Sequence, residues 1–247
     1  MQKKTSAFNQ FQQIELGISA KLVYHPEKFI EHSGVLSIRK ALLHILNQEH
    51  YPVISIVGGK RSGKTHLAHF LNFRLRQAAE RFEPRIEVEF FQGTEFLDSI
   101  QEGRSFHWSN AKHCILIDDA DQLLVHFSRG NSGPMVKCIE DLRVHGGLII
   151  FFRAEDSSFY EFDEHLGTRF AAGTEFLIGN PDRSELSLLL QALSAQRGWR
   201  FNDRMVKYLE KRLCVGVKDI ESYLERVQLL SRLRTDKVDF SLLGDAL

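Results

Sequence analysis

The sequence predicts an α/β fold, a parallel sheet flanked by helices and followed by an all-helical C-terminal subdomain. Three observations predict it. Short apolar, often β-branched runs alternate with helical periodicity up to Gly179. The glycines fall between these runs, and beyond Gly179 only helical spacing remains. Strands that are apolar throughout, rather than alternating, belong to sheets covered on both faces.

The elements follow in order. The first twenty or so residues are Gln-rich and weakly patterned, and read as an arm. "FIEHSGVLSIRKALLHIL" (29–46) carries Val35, Ile38, Ala41, Leu42 and Ile45 on one helical face. Pro52 punctuates, and "VISIV" (53–57) reads as a buried strand. Leu67, Phe70, Leu71 and Leu75 mark the next helix. "RIEVEFF" (85–91), "HCILI" (113–117), "GGLIIFF" (146–152) and "TEFLIG" (174–179) supply four more strands, with helices at 94–101 and 135–145 and a loop at 130–134. "NPDRSELSLLLQALSAQRG" (180–198) has an Asn cap, Pro at the first helical position and a terminal Gly. Helical runs at 202–213 and 217–233 complete the C-terminal part. The expected organisation is an arm over 1–25, an α/β core over 26–179 and a helical lid over 180–247.

Composition narrows the setting. Thirty-two basic residues balance thirty-two acidic ones over 247 residues, so overall charge gives no argument for nucleic acid or membrane. Cys114, Cys138 and Cys214 are odd in number and far apart, which argues against a disulfide framework; Cys114 and Cys214 read as small core hydrophobes. No secretory signal is legible in "MQKKTSAFNQFQQ", and the longest apolar runs are too short to span a bilayer. A cytoplasmic protein with no membrane partner is expected.

The chemistry concentrates in Gly58-Gly59-Lys60-Arg61-Ser62-Gly63-Lys64-Thr65, which satisfies G-x-x-x-x-G-K-[ST] in full between a strand and a helix that opens with His66. Gly63 lets backbone N–H groups wrap the phosphates where a Cβ is expected to intrude. Lys64 places an ammonium on the β and γ oxygens, Thr65 offers a hydroxyl to Mg2+, and the helix N-terminus adds its positive end. Asp118 and Asp119 end the apolar run "CILI". One carboxylate at that strand edge would hold the Mg2+ shell, and its neighbour would orient or deprotonate the attacking water. The bound nucleotide would be ATP or ADP.

A core followed by a helical lid resembles the AAA+ ATPases, and within them the DnaA/Hda group. The residues that carry the resemblance are "GGKRSGKTHLAH" (58–69), "CILIDDADQLL" (114–124), "LGTRFAAGTEFLIGNPD" (166–182), "RGWRFNDRMVKYLEKRL" (197–213) and "GVKDIESYLERV" (216–227). The resemblance implies nucleotide held at the core–lid seam and leaves homo-oligomerisation open. No dedicated double-stranded DNA-binding domain is expected, because the chain stops after the lid. Arg169 falls on the group's arginine finger, which implies action in trans on the ATP of a DnaA-type initiator. Members of the Hda type also carry an N-terminal peptide that binds the polymerase sliding clamp. Here "QIELGI" implies Gln13, Leu16 and Ile18 for that role, with two apolar side chains in a pocket and Gln13 hydrogen-bonding at its rim.

Two positions depart from the group. After the fourth strand, Phe152-Arg153-Ala154 stand where a small polar or acidic residue usually faces the γ-phosphate, so that group is missing or supplied by Arg153. The lid's sensor arginine is Lys218, which keeps the charge without the planar fork. Both departures imply a site that grips nucleotide and turns it over weakly. The reading is a regulator of replication initiation that promotes hydrolysis in its partner. The alternatives are a non-catalytic adaptor and a helicase-loader type of ATPase.

Overall fold

The computed structural model describes residues 25–45, 51–79, 81, 85–102, 112–128, 130–154, 156–234 and 237–247. Five strands, β1 (Val53–Val57), β2 (Ile86–Gln92), β3 (Lys112–Asp118), β4 (Leu148–Arg153) and β5 (Thr174–Leu177), form one parallel sheet in the order β2-β3-β4-β1-β5. All five residues of β1 are buried, as a β-branched central strand requires. The strand order jumps around β1, and the crevice outside its carboxyl end is where such sheets bind ligands.

Alternation along the strands divides two apolar layers. Ile54, Ile56, Leu116, Ile150 and Phe152 pack under α1 (Ser33–Ile45) and α2 (Lys64–Ala79). Val53, Ile115, Ile117, Ile149 and Phe151 pack under α3 (Gly93–Gln101), α4 (Asp121–Phe127), α5 (Gly133–Val144) and α6 (Glu164–Ala172). Phe170 anchors α6 by ring contacts with Phe151 and Phe162, at centroid distances of 5.2 and 4.8 Å. The C-terminal helices α7 (Leu186–Gln196), α8 (Asp203–Glu210), α9 (Val217–Arg234) and α10 (Phe240–Asp245) bury their own cluster around Leu190, Leu209 and Leu224. Tyr223 Oη donates to the Leu243 carbonyl across it, at 2.9 Å. No helix among the described residues is long and apolar enough to cross a membrane.

The structure moves several expected boundaries. Strand β4 starts at Leu148, because Gly146 (φ +65°) and Gly147 form the turn before it. Helix α5 starts at Gly133, with Pro134 in its first turn, where a missing N–H costs nothing. Strand β5 stops at Leu177, and the Gly179 N–H turns to the Gly34 carbonyl. The two glycines lie so close that a Cβ on Gly34 would come within 2.1 Å of the Gly179 oxygen. Helices α4, α6 and α10 were not anticipated, since six to nine residues show little periodicity. Cys214 is exposed rather than a core residue, because α8 ends at Glu210 and the chain has left the helical face.

The lid is tied to the core at the start of α1. The Ser33 N–H and hydroxyl both donate to the Glu185 carboxylate, at 2.9 and 2.8 Å. Glu185 also accepts the Asp182 N–H, so one lid carboxylate caps a core helix and its own turn together.

Candidate functional site

The loop from Gly58 to Gly63 links β1 to α2 at the sheet's crevice. Its conformation needs glycine at two positions for different reasons. A Cβ on Gly58 would lie 2.4 Å from Ser62 Oγ, whereas Gly63 meets nothing within 4 Å and is required by its φ of +92°. The backbone angle at Gly63 by itself selects glycine there. Gly59, Lys60 and Arg61 are exposed along the rim. Ser62 Oγ is buried without a hydrogen-bond partner among the described residues.

Lys64 opens α2 and folds its Nζ over the loop, donating to the carbonyls of Gly58 (2.7 Å) and Gly59 (3.0 Å). Burial pushes its ammonium below the ordinary value of 10.5, against the raising fields of Asp121, Asp118 and Asp119. The positive charge is thus confined next to a cradle open at Gly59 and Gly63.

Asp118 is the last residue of β3 and only 2 % exposed. Alternation turns it to the same sheet face as α2, where it accepts a hydrogen bond from the Thr65 hydroxyl. Burial raises its carboxyl above the usual range, offset by that bond and by the Asp119 N–H. Asp119 takes φ +51° and is exposed. No group of three or more His, Cys, Asp or Glu side chains among the described residues could hold a metal alone. The paired Thr65 and Asp118 fit Mg2+, which takes one or two protein oxygens and completes its shell with phosphates and water.

Arg153 does not reach this face. It follows Phe152 on β4, so its side chain leaves the opposite side of the sheet from α2. There it is fully buried, crosses β1 to pair with Glu175 of β5 at 2.5 Å, and lies 5.7 Å from the Tyr160 ring centroid. The suggestion that Arg153 supplies the γ-phosphate group is corrected by this geometry. The loop after β4 is instead held by Asp121, which the sequence reading missed. Its two carboxylate oxygens each lie 3.0 Å from the Ala154 nitrogen, and one accepts the Tyr160 hydroxyl.

The lid meets the loop through α9. Arg61 pairs with Glu225 at 2.6 Å and donates to Ser222 Oγ at 3.4 Å. Lys218, Ser222 and Glu225 share one stripe at i, i+4 and i+7, so Lys218 lies one turn before the residues that touch the loop. His66 sits beneath, edge-on to Phe29 at 5.1 Å. A cavity of about 50 Å³ lies between Phe29, Ser62, His66, Leu189, Leu193 and Val217. That is room for a few waters, so seating a purine there requires these side chains or the lid to move.

Arg61 holds φ +65°, a strained angle for any residue with a Cβ. Its ion pair is largely exposed, with 41 % and 47 % of the two side chains open to solvent. The pair is therefore worth under about 1 kcal/mol. Arg61→Gly is expected to unfold at higher denaturant than Arg61→Ala, by about 1 kcal/mol, because glycine releases the strain that alanine retains. Equal midpoints would show that the strain is absent.

Arg169 lies elsewhere. It is on the last turns of α6, on the sheet face opposite α2 and close to the start of β5, at the other end of the strands from the loop. Its Nε and Nη2 both lie 3.0 Å from Glu140 Oε1, and Nη1 donates to the His165 carbonyl at 2.9 Å. The second Glu140 oxygen pairs with Arg143 at 3.0 Å. Its side chain keeps 24 % of its surface in solvent. The structure thus brings together the 58–66 segment, Asp118, Asp119 and the Lys218 stripe, and sets Arg169 apart. Gln13, Leu16 and Ile18 lie outside the described residues.

No family model matches the chain. It is 25% identical over 224 residues to the chromosomal replication initiator protein DnaA of Leptothrix cholodnii, covering 85% of this chain and 42% of that one. The chain therefore spans under half the length of that relative. Its fold is similar to domain III of the Thermotoga maritima replication initiation protein DnaA, with a TM-score of 0.64 at 19% identity over 91% of this chain and 95% of that one. AMPPCP-bound DnaA from Aquifex aeolicus is also similar, with a TM-score of 0.58 at 18% identity, covering 83% and 65%. The resemblance to DnaA-type AAA+ proteins read from the residues is borne out, and the fold is the AAA+ core with its helical lid.

Proposed function

We propose that this chain is a DnaA-related nucleotide-binding regulator of replication initiation, which holds ATP or ADP in its own loop and promotes hydrolysis in a DnaA-type partner. The observation that carries the proposal is the separation of its two sites. The phosphate cradle and Arg169 occupy opposite faces and opposite ends of the sheet, so Arg169 can serve only a phosphate bound by another chain.

In its own site, the N–H groups of the loop and Lys64 would bind the phosphates. Lys64 would exchange the carbonyls of Gly58 and Gly59 for β and γ oxygens. Thr65 and Asp118 would orient Mg2+, which neutralises phosphate charge when bound. Lys218 would approach from the lid. Asp119 remains the candidate for positioning water, but with Arg153 committed to Glu175 nothing on β4 assists it. Weak turnover and firm binding follow. Tethering to the sliding clamp through Gln13, Leu16 and Ile18 would raise the local concentration of Arg169 near DNA-bound partner.

A pH dependence follows from Lys64. Phosphate oxygens restore the ammonium pKa that burial has lowered, so the bound state holds its proton to higher pH than the free state. Affinity is expected to fall as pH rises through the free-state value, and binding at a pH between the free-state and bound-state values should take up a proton. Titration calorimetry in two buffers of different ionisation enthalpy reads this directly; identical heats would contradict it.

The proposal is tested by hydrolysis of DnaA-bound ATP on clamp-loaded DNA, with wild type, Arg169→Ala and a Gln13→Ala/Leu16→Ala double variant. Stimulation by wild type that both variants lose is the expected result. Equal rates with and without wild type would overturn it.

A further inference from the structure

A second concavity lies away from the nucleotide loop, beside α1 and the C-terminal half of α2. It encloses about 710 Å³, within the size range of ligand pockets. Among the described residues it is lined by four arginines, Arg39, Arg74, Arg76 and Arg81, and by no carboxylate. In a chain whose charges balance overall, this is a local excess that needs a cause.

The helix dipole accounts for part of it. Arg76 lies in the last turn of α2 and Arg81 just beyond, where cations are favoured. Arg74 lies earlier, and Arg39 comes from a different helix. Among the described residues, neighbouring groups neutralise little of the charge; Glu80 and Glu83, which flank Arg81 in sequence, lie outside them. Arg39 uses its Nε for Glu31 at 2.6 Å, and Arg76 uses its Nε for the neutral Asn72 Oδ1 at 2.9 Å. Arg74 and Arg81 pair with no described carboxylate, and both are exposed. Beneath them Leu42, Leu71 and Leu75 form a buried apolar floor, a low-dielectric wall that strengthens the field in the concavity.

We infer that this concavity binds phosphate groups of a polyanion. Guanidinium forks match phosphate oxygens in pairs, and several on one concave wall fit a ligand with more than one phosphate. The site is independent of the nucleotide loop: Arg74 lies ten residues beyond Lys64 on the same helix, roughly 15 Å along its axis. Its ligand is either a single nucleic-acid strand, whose sugars and bases could lie on the apolar floor, or free polyphosphate.

The test uses the full chain carrying Lys64→Ala, so that the nucleotide loop does not contribute. Binding of a labelled oligothymidylate and of inorganic tripolyphosphate is measured with this parent, with Arg74→Ala/Arg81→Ala added, and with Arg204→Ala/Lys207→Ala added. The last pair removes the same charge from exposed positions on α8. The site variant is expected to bind at least about tenfold more weakly, with the log–log salt slope reduced by roughly 1.4 for two lost phosphate contacts. The α8 control should match the parent. Loss for the oligonucleotide identifies a nucleic-acid strand, and loss for tripolyphosphate alone identifies free polyphosphate. Failure of the parent to bind either probe, or equal losses in both variants, overturns the inference.

Discussion

Arg169→Ala is expected to reduce the stimulated hydrolysis of a partner's ATP by roughly 10³-fold or more, the scale on which an arginine supplied in trans stabilises phosphoryl transfer. Nucleotide affinity of the chain's own loop should not change, because Arg169 lies across the sheet from it. The fold should also tolerate the change. Phe170 continues to anchor α6, and Glu140 keeps its contact with Arg143. Stopped-flow or quench measurement of partner hydrolysis, beside nucleotide titration of the variant, separates the two effects. Arg169→Lys should restore little, because an ammonium lacks the planar fork that Glu140 now engages through two nitrogens.

Glu175→Ala is expected to produce the largest loss of stability. It removes the carboxylate that pairs with Arg153, a side chain with no exposed surface. Removing one member of a buried pair costs about 3–5 kcal/mol. Glu175 itself keeps 35 % of its side chain in solvent, so water can enter the gap and the lower end, about 3 kcal/mol, applies. Replacing both residues, as Arg153→Met with Glu175→Ala, should recover most of the loss, since the buried charge is then gone. Chemical denaturation of the three variants reads this as a double-mutant cycle; a double variant no more stable than Glu175→Ala would contradict the account.

The central strands β1, β3 and β4 were legible in the sequence because they are buried on both faces and read as largely continuous apolar runs. The phosphate loop was legible because its chemistry needs consecutive residues. The pairings that set the roles of the arginines were not. Arg153 meets Glu175 twenty-two residues away, Arg169 meets Glu140 twenty-nine away, and Arg61 meets Ser222 at a separation of 161. Nothing local marks such partners; only the strand order and the docking of α9 bring them together. The side on which Arg153 lies also depends on the register of β4, which a short apolar run does not fix. Asp121 was hidden for a related reason. It reads as a third acid after Asp118 and Asp119, and only the fold shows that its carboxylate faces the Ala154 nitrogen.

These pairings also sharpen the division of labour. Glu140 holds Arg169 on the chain's own surface, so in the proposed role engaging a partner's phosphate would mean exchanging one anion for another. That exchange would be one of like chemistry and would keep the guanidinium ordered before and after docking. On the other face, Lys64 and the Asp118–Thr65 pair lie on the same loop that Arg61 ties to the lid.

In the proposed function, phosphate binding and arginine delivery are separate tasks of one fold. The most direct measurement is single-turnover hydrolysis of labelled ATP held by a DnaA-type partner, with this chain preloaded with ADP. Stimulation by ADP-loaded wild type, and its loss with ADP-loaded Arg169→Ala, is the predicted result. Stimulation that persists in Arg169→Ala, or that appears only when this chain turns over its own ATP, would contradict the account.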